Sequence, residues 1–285
     1  MKLCRFEDPQ RRACVGLVSD ENAVLDLSAA GIERLSPLLE SDSLPGQFAS
    51  LAGKNLPRYK LAEVRLLPPV EHQEVWAAGV TYLRCKKARM EESDFSATAY
   101  DRVYDAPRPE IFFKALPEKV VGAGEAVGIR KDSKWNVPEP ELALVINSRG
   151  QIAGYTIGND MSSRDIEGEN LLYLPQAKIY NRSCALGPFI RVGVSETEAR
   201  TWSVALRIAR EGAAGFEGQT SVGNIKRPFA ELADYLFRSQ SFPHGAVLLT
   251  GTGVVPGNDF SLQPRDVVRI EISGIGVLEN GVEEV

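Results

Sequence analysis

Short apolar runs, separated by turn-forming residues, dominate the chain and predict a mostly β protein. Seven runs after residue 70 are expected to be strands: 75–78, 111–114, 142–146, 152–157, 204–208, 247–250 and 267–272. The last run alternates apolar and charged residues, as a strand with one buried face does. A helix is predicted after Pro228, because apolar residues repeat at helical spacing from Phe229 to Phe237.

The first 66 residues predict a smaller unit. Three short strands, at 3–6, 13–18 and 23–27, precede a short helix at 32–39. The paired prolines Pro68 and Pro69 mark the expected boundary, since proline interrupts both helices and strands. We therefore expect a small N-terminal domain over 1–66 and a larger domain over 70–285.

Composition narrows the class of protein without indicating a reaction. Of the 285 residues, 44 % are hydrophobic and 25 % charged, and the net charge of −5 gives no basic surface for nucleic acid. No apolar stretch approaches the ~20 residues that span a bilayer, and the N-terminus lacks signal-peptide features. The four cysteines form no CxxC pair, which suits a reducing compartment. We expect a cytoplasmic protein without nucleic-acid or membrane partners.

Three carboxylates stand at the ends of predicted strands. Glu139 and Glu141 flank Pro140 at the start of the run 142–146, and Asp160 follows the run 152–157. Residues i and i+2 of a strand face the same side, so the two glutamates are expected to project together. Oxygen ligands of this kind suit Mg²⁺ or Mn²⁺, which would balance their charge.

Simpler interpretations of these carboxylates remain open from the residues alone. The two glutamates are also typical of the surface of an edge strand, where Pro140 is tolerated. Asp160 is also a suitable N-terminal cap for a helix that begins near Ser162.

Several motifs, in the same order along the chain, resemble the fumarylacetoacetate hydrolase superfamily. They are Pro138-Glu139-Pro140-Glu141-Leu142-Ala143, Asn159-Asp160-Met161-Ser162-Ser163-Arg164-Asp165, and the stretches 108–114, 251–253 and 266–280. The resemblance covers 70–285 and implies an α+β, mostly β chain: a mixed β-roll with a small N-terminal α/β domain, assembled as a homodimer or homotetramer. It also implies that Glu139, Glu141 and Asp160 bind Mg²⁺ or Mn²⁺.

The stretch 163–180 is similar to the sugar-acid dehydratase branch of that superfamily. This branch converts a 2-keto-3-deoxypentonate to 2,5-dioxopentanoate by forming an enolate and losing the 4-hydroxyl as water. The carbon–carbon bond hydrolases place a water-activating histidine shortly after a Gly-x-x-Tyr motif. Here the motif is Gly79-Val80-Thr81-Tyr82, and residues 83–87 include no histidine. The resemblance therefore implies a dehydratase acting on a small 2-keto acid.

Within this reaction, the local sequence and the family motifs together suggest roles for further residues. Lys178 is the expected base at C3, with a pKa lowered by an apolar pocket and a nearby cation, and Glu110 is the expected acid at the leaving oxygen. The expected substrate-binding residues are Tyr82, Lys114, Arg164 and Thr252. Lys114 alternatively extends to solvent, and Arg164 is favoured as a brace for a carboxylate. Residues 82–93 are the expected lid.

Four other interpretations stay open at this stage. An acylpyruvate hydrolase or an oxaloacetate decarboxylase would use the same metal site. A Schiff-base lyase would use Lys178 without a metal. In a protein without catalysis, the carboxylates would hold a structural cation.

Overall fold

The structure, a computed structural model, describes residues 1–20, 22–41, 46, 48, 50–51, 54–82 and 102–285. Its strands are β1 Lys2–Glu7, β2 Ala13–Asp20, β3 Ala23–Asp26, β4 Arg58–Lys60, β5 Arg65–Leu67, β6 Glu74–Gly79, β7 Glu110–Ala115, β8 Val120–Val121, β9 Ala126–Ile129, β10 Asn136–Val137, β11 Pro140–Ile146, β12 Ile152–Asp160, β13 Ser162–Ser163, β14 Cys184–Val192, β15 Ser203–Arg210, β16 Ala213–Ser221, β17 Ala246–Thr252, β18 Val267–Ile272 and β19 Gly276–Glu284. Its α-helices with defined bounds are α1 Leu35–Leu39, α2 Arg164–Glu169, α3 Leu174–Lys178, α4 Glu196–Ala199 and α5 Phe229–Phe237. The predicted strands and helices are all present, but the helix expected at 32–39 begins only at Leu35 and the strand expected at 23–27 ends at Asp26.

Two large sheets, together with a two-stranded sheet of β10 and β13, form the described part of the chain. The larger has twelve strands, and its main path runs β4-β3-β2-β1-β14-β12-β11-β17-β6-β7, with β5 beside β1 and β8 beside β14. The smaller has five strands in the order β16-β15-β18-β19-β9. Apolar residues from both sheets and from α5 share one core, which includes Leu144, Leu206, Phe229, Leu232 and Ile270. The result is a mostly β molecule in which helices are short.

The large sheet continues across the predicted domain boundary. Strand β1 pairs with β14 in antiparallel register, with Lys2 opposite Arg191 and Leu3 opposite Ile190. Leu3 also shares a second buried cluster with Leu186 and Ile190. The division into 1–66 and 70–285 stays a prediction, and the two parts share a sheet and a core.

The ends of five strands meet at one edge of the large sheet. Strand β11 lies between β12 and β17, which places Glu141 opposite both Gly158 and Thr252. Strand β6 runs parallel to β17, and β7 returns beside β6 with Glu110 opposite Gly79. The first residues of β11 and β7 therefore lie at this edge, next to the last residues of β12, β17 and β6. Among the described residues, no helix is both long and apolar enough to cross a membrane.

Candidate active site

The three predicted carboxylates lie together at this edge of the sheet. Glu139, Glu141 and Asp160 are each at most 3 % exposed, and one oxygen of each lies within 4.8 Å of the other two. Buried carboxylates this close repel one another unless cations neutralise them. The interpretation of the two glutamates as ordinary surface residues is therefore wrong.

Backbone hydrogen bonds fix the relative positions of these carboxylates. The amide of Asp160 donates to the carbonyl of Glu139 at 3.0 Å, and the amide of Glu139 donates to the side-chain oxygen of Asn159 at 3.2 Å. Asp160 is the last residue of β12, and α2 begins later, at Arg164. The alternative in which Asp160 caps that helix is wrong, because its carboxylate faces the other two acids instead.

Three buried cations surround the carboxylates. Lys178 donates to Glu139 at 2.8 Å, to Asp160 at 2.9 Å and to the hydroxyl of Ser162 at 2.5 Å. Lys114 pairs with the other oxygen of Asp160 at 2.5 Å, and Arg164 pairs with the other oxygen of Glu139 at 2.8 Å. Each ion pair is buried, so the attraction is little screened by water.

These contacts refine the expectations for the three cations. Arg164 braces Glu139, as favoured from the sequence, and Lys114 is fully buried rather than extended to solvent. Lys114 also donates to the carbonyls of Met161 and Lys178, at 3.0 Å and 2.5 Å. The nitrogen of Lys178 lies 5.9 Å from the centre of the Phe112 ring, but it also contacts the carboxylates of Glu139 and Asp160. Its surroundings are therefore more charged than the expected apolar pocket.

Glu141 is held differently from its two neighbours. The amide of Gly251 donates to its carboxylate at 2.6 Å. Gly251 has φ +89°, a conformation that glycine adopts readily, and this conformation brings the strand end over the carboxylate. Burial, and next the charges of Asp160 and Glu139, raise the pKa of Glu141 well above its ordinary value. A divalent cation bound by the three carboxylates would oppose this shift, because it supplies positive charge beside Glu141.

The cavity beside the carboxylates contains most of the predicted site residues. Its wall is formed by Ala78, Gly79, Val80, Glu110, Phe112, Glu139, Glu141, Asp160, Glu167, Lys178, Gly251 and Thr252. Glu110 lies against Gly79, where any side chain would overlap the Glu110 carboxylate. Glu167, buried at 2 % exposure, was not predicted. The available signal was its place in α2, three residues after Arg164, since residues so spaced share a helix face.

Other predicted residues lie near the cavity or outside the described chain. Tyr82 is buried, with its ring close to Gly253. Thr252 lines the cavity, while its hydroxyl bonds the carbonyl of Val254 at 3.0 Å. The predicted lid at 82–93 falls, after Tyr82, outside the residues that the structure describes. Cys184 is fully buried, and burial raises its pKa to about 12, which fits a packing residue rather than a nucleophile.

Comparison with known proteins agrees with this geometry. Residues 75–283 match the family described as fumarylacetoacetate (FAA) hydrolase, C-terminal. The chain belongs to this family. A 2-dehydro-3-deoxy-D-arabinonate dehydratase of Saccharolobus solfataricus is 44 % identical over 232 residues, which cover 80 % of this chain and 78 % of that protein. A probable 2-keto-3-deoxyxylonate dehydratase of Haloferax volcanii is 48 % identical over 217 residues, covering 76 % and 74 %.

A solved structure of the fumarylacetoacetate hydrolase fold gives the same result. The complex of 2-keto-3-deoxy-D-arabinonate dehydratase with magnesium and 2,5-dioxopentanoate matches this structure with a TM-score of 0.80 and 35 % sequence identity. The match covers 100 % of this chain and 99 % of that chain. The predicted family and fold class are thereby confirmed.

The donor set of this family member suits a hard divalent cation. The three oxygens of Glu139, Glu141 and Asp160 converge on one point of the cavity wall, and Mg²⁺ and Mn²⁺ prefer oxygen ligands. The two histidines lie with ring centroids 5.0 Å apart, and neither lines this cavity. The described part of the cavity wall thus offers carboxylates and a lysine for chemistry.

Proposed function

We propose that the chain is a metal-dependent dehydratase that converts a 2-keto-3-deoxypentonate to 2,5-dioxopentanoate. The observation that carries this proposal is the buried carboxylate triad in one cavity with Lys178 and Glu110. The 44 % identical relative is a 2-dehydro-3-deoxy-D-arabinonate dehydratase and the 48 % identical relative is a probable 2-keto-3-deoxyxylonate dehydratase, which supports the same reaction class.

Glu139, Glu141 and Asp160 would hold Mg²⁺ or Mn²⁺. When bound, the cation supplies Lewis-acid polarisation of the 2-keto group and stabilises the negative charge that develops as a C3 proton leaves. Two of these carboxylates are fixed by buried ion pairs: Arg164 contacts Glu139 at 2.8 Å, and Lys114 contacts Asp160 at 2.5 Å. Ligands held in this way keep their orientation before the cation binds.

Lys178, in its neutral amine form, is proposed as the base that accepts the C3 proton. Its nitrogen lies at the cavity wall, fixed by Glu139, Asp160 and Ser162. Glu110 is proposed as the acid that donates a proton to the departing 4-hydroxyl, so that water leaves. Loss of water leaves a double bond between C3 and C4, and movement of a proton from C5 to C3 gives an enol that tautomerises to the 5-aldehyde. General acid and base groups of this kind contribute roughly 10²–10⁴ in rate each.

The remaining predicted roles belong to the same proposal. Tyr82 and Thr252 would contact the substrate, and Thr252 lies on the wall beside Gly251. Lys114 and Arg164 would act on the substrate through the carboxylates that they hold. A cytoplasmic location is proposed from the absence of CxxC pairs among the four cysteines, and a homodimer or homotetramer is proposed from the family resemblance.

The alternative activities on the same metal site are less well supported. An acylpyruvate hydrolase would need a water-activating base, and the described cavity wall contains no histidine. A Schiff-base reaction through Lys178 would require the nitrogen to leave two carboxylates. No specific observation favours either reaction.

A coupled assay tests the proposal. EDTA-treated protein is given 2-keto-3-deoxypentonate with and without Mg²⁺, and the aldehyde product is followed with an aldehyde dehydrogenase. Metal-dependent product formation is expected, with a loss of roughly 10² or more for Lys178→Met and for Glu110→Gln. Glu139→Ala and Glu141→Ala should lose metal binding and activity together. If a folded, metal-loaded protein forms no aldehyde from any epimer of 2-keto-3-deoxypentonate, the proposal is overturned.

A further inference from the structure

A β-bulge near the end of β17 brings a backbone amide to the carboxylate of Glu141. The register of β11 and β17 shifts between Glu141 and Ala143. Two residues of β17, Thr250 and Gly251, therefore lie opposite the single residue Leu142. Gly251 has φ +89°, a conformation typical of glycine in a bulge, and its amide donates to Glu141 at 2.6 Å. The bulge thus forms part of the site.

The side chain of Thr81 holds this bulge from the turn that follows β6. Thr81 is 1 % exposed, and its hydroxyl donates to the carbonyl of Thr250 at 2.5 Å. That carbonyl and the amide of Gly251 belong to one planar peptide group, so a bond that orients the first also orients the second. The contact is close, because a Cβ built on Gly251 would lie 2.2 Å from the Thr81 hydroxyl oxygen.

We propose that Thr81 is a positioning residue for Glu141, the proposed metal ligand, and that it acts through the peptide between Thr250 and Gly251. The inference rests on the part of the proposed function in which Glu141 binds Mg²⁺. Thr81 would touch neither the cation nor the substrate in this role. Its hydroxyl would set the direction of the amide that holds the ligand.

The backbone that delivers Thr81 is strained. Val80 has φ +53°, in the left-handed region that β-branched residues rarely adopt. Gly79 before it is the last residue of β6, and after it the amide of Lys226 donates to the carbonyl of Thr81 at 3.0 Å. Strained residues persist where the surrounding structure determines their conformation, and they cluster at functional sites. The turn at Val80 carries the chain from β6 to the bulge, where Thr81 reaches Thr250.

A second hydroxyl attaches the bulge to β11. Thr250 is fully buried, and its own hydroxyl donates to the carbonyl of Leu142 at 2.8 Å. This bond does not involve Thr81 and would remain if the Thr81 hydroxyl were removed. Loss of that hydroxyl should therefore leave the bulge on the sheet but release the orientation of the peptide between Thr250 and Gly251.

The orientation of this peptide matters because of how the triad is held. In the described part of the chain, ion pairs hold Glu139 and Asp160, whereas the amide of Gly251 holds Glu141. Hydrogen bonds that orient a metal ligand typically contribute roughly 10–100-fold to metal affinity. We therefore expect loss of the Thr81 hydroxyl to weaken Mg²⁺ binding.

Calorimetric titration of the metal-free protein with Mg²⁺ tests the inference without turnover. Thr81→Val removes the hydroxyl and conserves the shape, and the Kd for Mg²⁺ should rise by about tenfold or more. Thr81→Ser keeps a hydroxyl and should bind Mg²⁺ nearly as tightly as the wild type. Thr156→Val is the matched control, because Thr156 is fully buried and its hydroxyl donates to the carbonyl of Gly187 at 3.4 Å. Its Kd should equal that of the wild type.

The outcomes separate this inference from the proposed function. A wild-type Kd in folded Thr81→Val, beside a Glu141→Ala protein that no longer binds Mg²⁺, would overturn the role of Thr81 and leave the metal site standing. Weaker binding in Thr81→Val, in a protein that dehydrates no epimer, would sustain that role and refute the proposed reaction. If Glu141→Ala binds Mg²⁺ as the wild type does, both the inference and the metal site are overturned.

A smaller substitution covers the case in which Thr81→Val does not fold, as judged by its melting temperature. Thr81→Ala also removes the hydroxyl and adds no bulk, and it should show the same rise in Kd. Loss of folding in both variants would assign the hydroxyl to the stability of the fold and overturn its role in positioning Glu141.

Discussion

Lys114 links three segments of the chain at a single nitrogen. It pairs with Asp160 and donates to the carbonyls of Met161 and Lys178, while its side chain is fully buried. Its removal would leave a buried carboxylate without that partner, and breaking a buried ion pair costs about 3–5 kcal/mol. Lys114→Met, which conserves volume, should therefore lower the free energy of unfolding of the metal-free protein by about this amount.

Urea denaturation with and without Mg²⁺ measures this effect. Mg²⁺ should restore part of the lost stability in Lys114→Met, because the cation supplies positive charge beside Asp160. Lys119→Met, at a 3₁₀ turn on the surface, serves as the control for loss of a lysine. A change below about 1 kcal/mol in Lys114→Met would show that the ion pair is not important for stability.

The pKa of Glu141 predicts how the metal-free protein responds to pH. Because its folded-state pKa is raised above the unfolded value of about 4.3, the folded state holds the proton more tightly. This contribution to stability is fully present below the unfolded pKa and is lost as pH rises through the folded pKa. The unfolding free energy of the EDTA-treated protein should fall over that range.

Unfolding of wild type and Glu141→Gln at several pH values above about 4.3 gives the comparison. Glutamine cannot lose a proton, so the variant should show a shallower decline than the wild type. Parallel declines in the two proteins would assign the pH dependence to other groups. The unfolding of both proteins must be measured in EDTA, since a bound cation would counteract the repulsion that raises the pKa of Glu141.

At the scale of residues, the sequence predicts most members of the site, but it predicts few of the contacts that they make. The triad and Lys178 are found from their order in the motifs. The direction of a long side chain depends on tertiary packing, so the contact between Lys114 and Asp160 could not be predicted. Glu167 was missed because its spacing from Arg164 places it at the site only once Arg164 is known to contact the carboxylates.

At the scale of elements, the pair of β6 and β7 positions Glu110. Gly79 faces Glu110 across the two strands, and the carboxylate occupies the space that a side chain at Gly79 would fill. In Gly79→Ala the flexible glutamate must move, while the backbone can stay. We expect kcat for dehydration to fall by about tenfold to a hundredfold, with little change in melting temperature, if Glu110 is the acid.

A double mutant identifies the cause of that loss. Once Glu110→Gln has removed the acid, adding Gly79→Ala should lower kcat little further, since both changes act on the same group. Gly281→Ala, where an added methyl group has open space, is the matched control and should keep full activity. A further independent loss in the double mutant would contradict the proposed role of Gly79.

Strands were predicted where the chain shows uninterrupted apolar runs, and missed where it does not. Strand β14 contains Gly187 and Pro188 in its middle, residues that usually mark a turn. Strand β16 is largely exposed and rich in small and polar residues, so no apolar pattern reveals it. Both strands owe their conformation to pairing with neighbours that are distant in sequence, β1 and β12 for β14 and β15 for β16.

At the scale of the whole molecule, the N-terminal residues complete the large sheet. Strand β1 covers the edge of β14, and Leu3, Leu17 and Leu27 fill one buried cluster with Leu186 and Ile190. Strand β14 in turn pairs with β12, which ends at Asp160, the proposed metal ligand. Strand β1 of the N-terminal unit is thus separated from β12, which carries Asp160, by the single strand β14.

Removal of residues 1–66 tests whether the larger part folds alone. The shortened chain would expose the edge of β14 and the apolar residues Leu186 and Ile190 to water, which favours aggregation and weakens the sheet. We expect insoluble protein, or a melting temperature lowered by more than about 10 °C with loss of Mg²⁺ binding. Leu3→Ala in the full chain is a milder test, with an expected loss of about 2–5 kcal/mol. A soluble 67–285 fragment with an unchanged melting temperature and Mg²⁺ affinity would instead establish the larger unit as an independent domain, since neither its fold nor its metal site would then depend on β1.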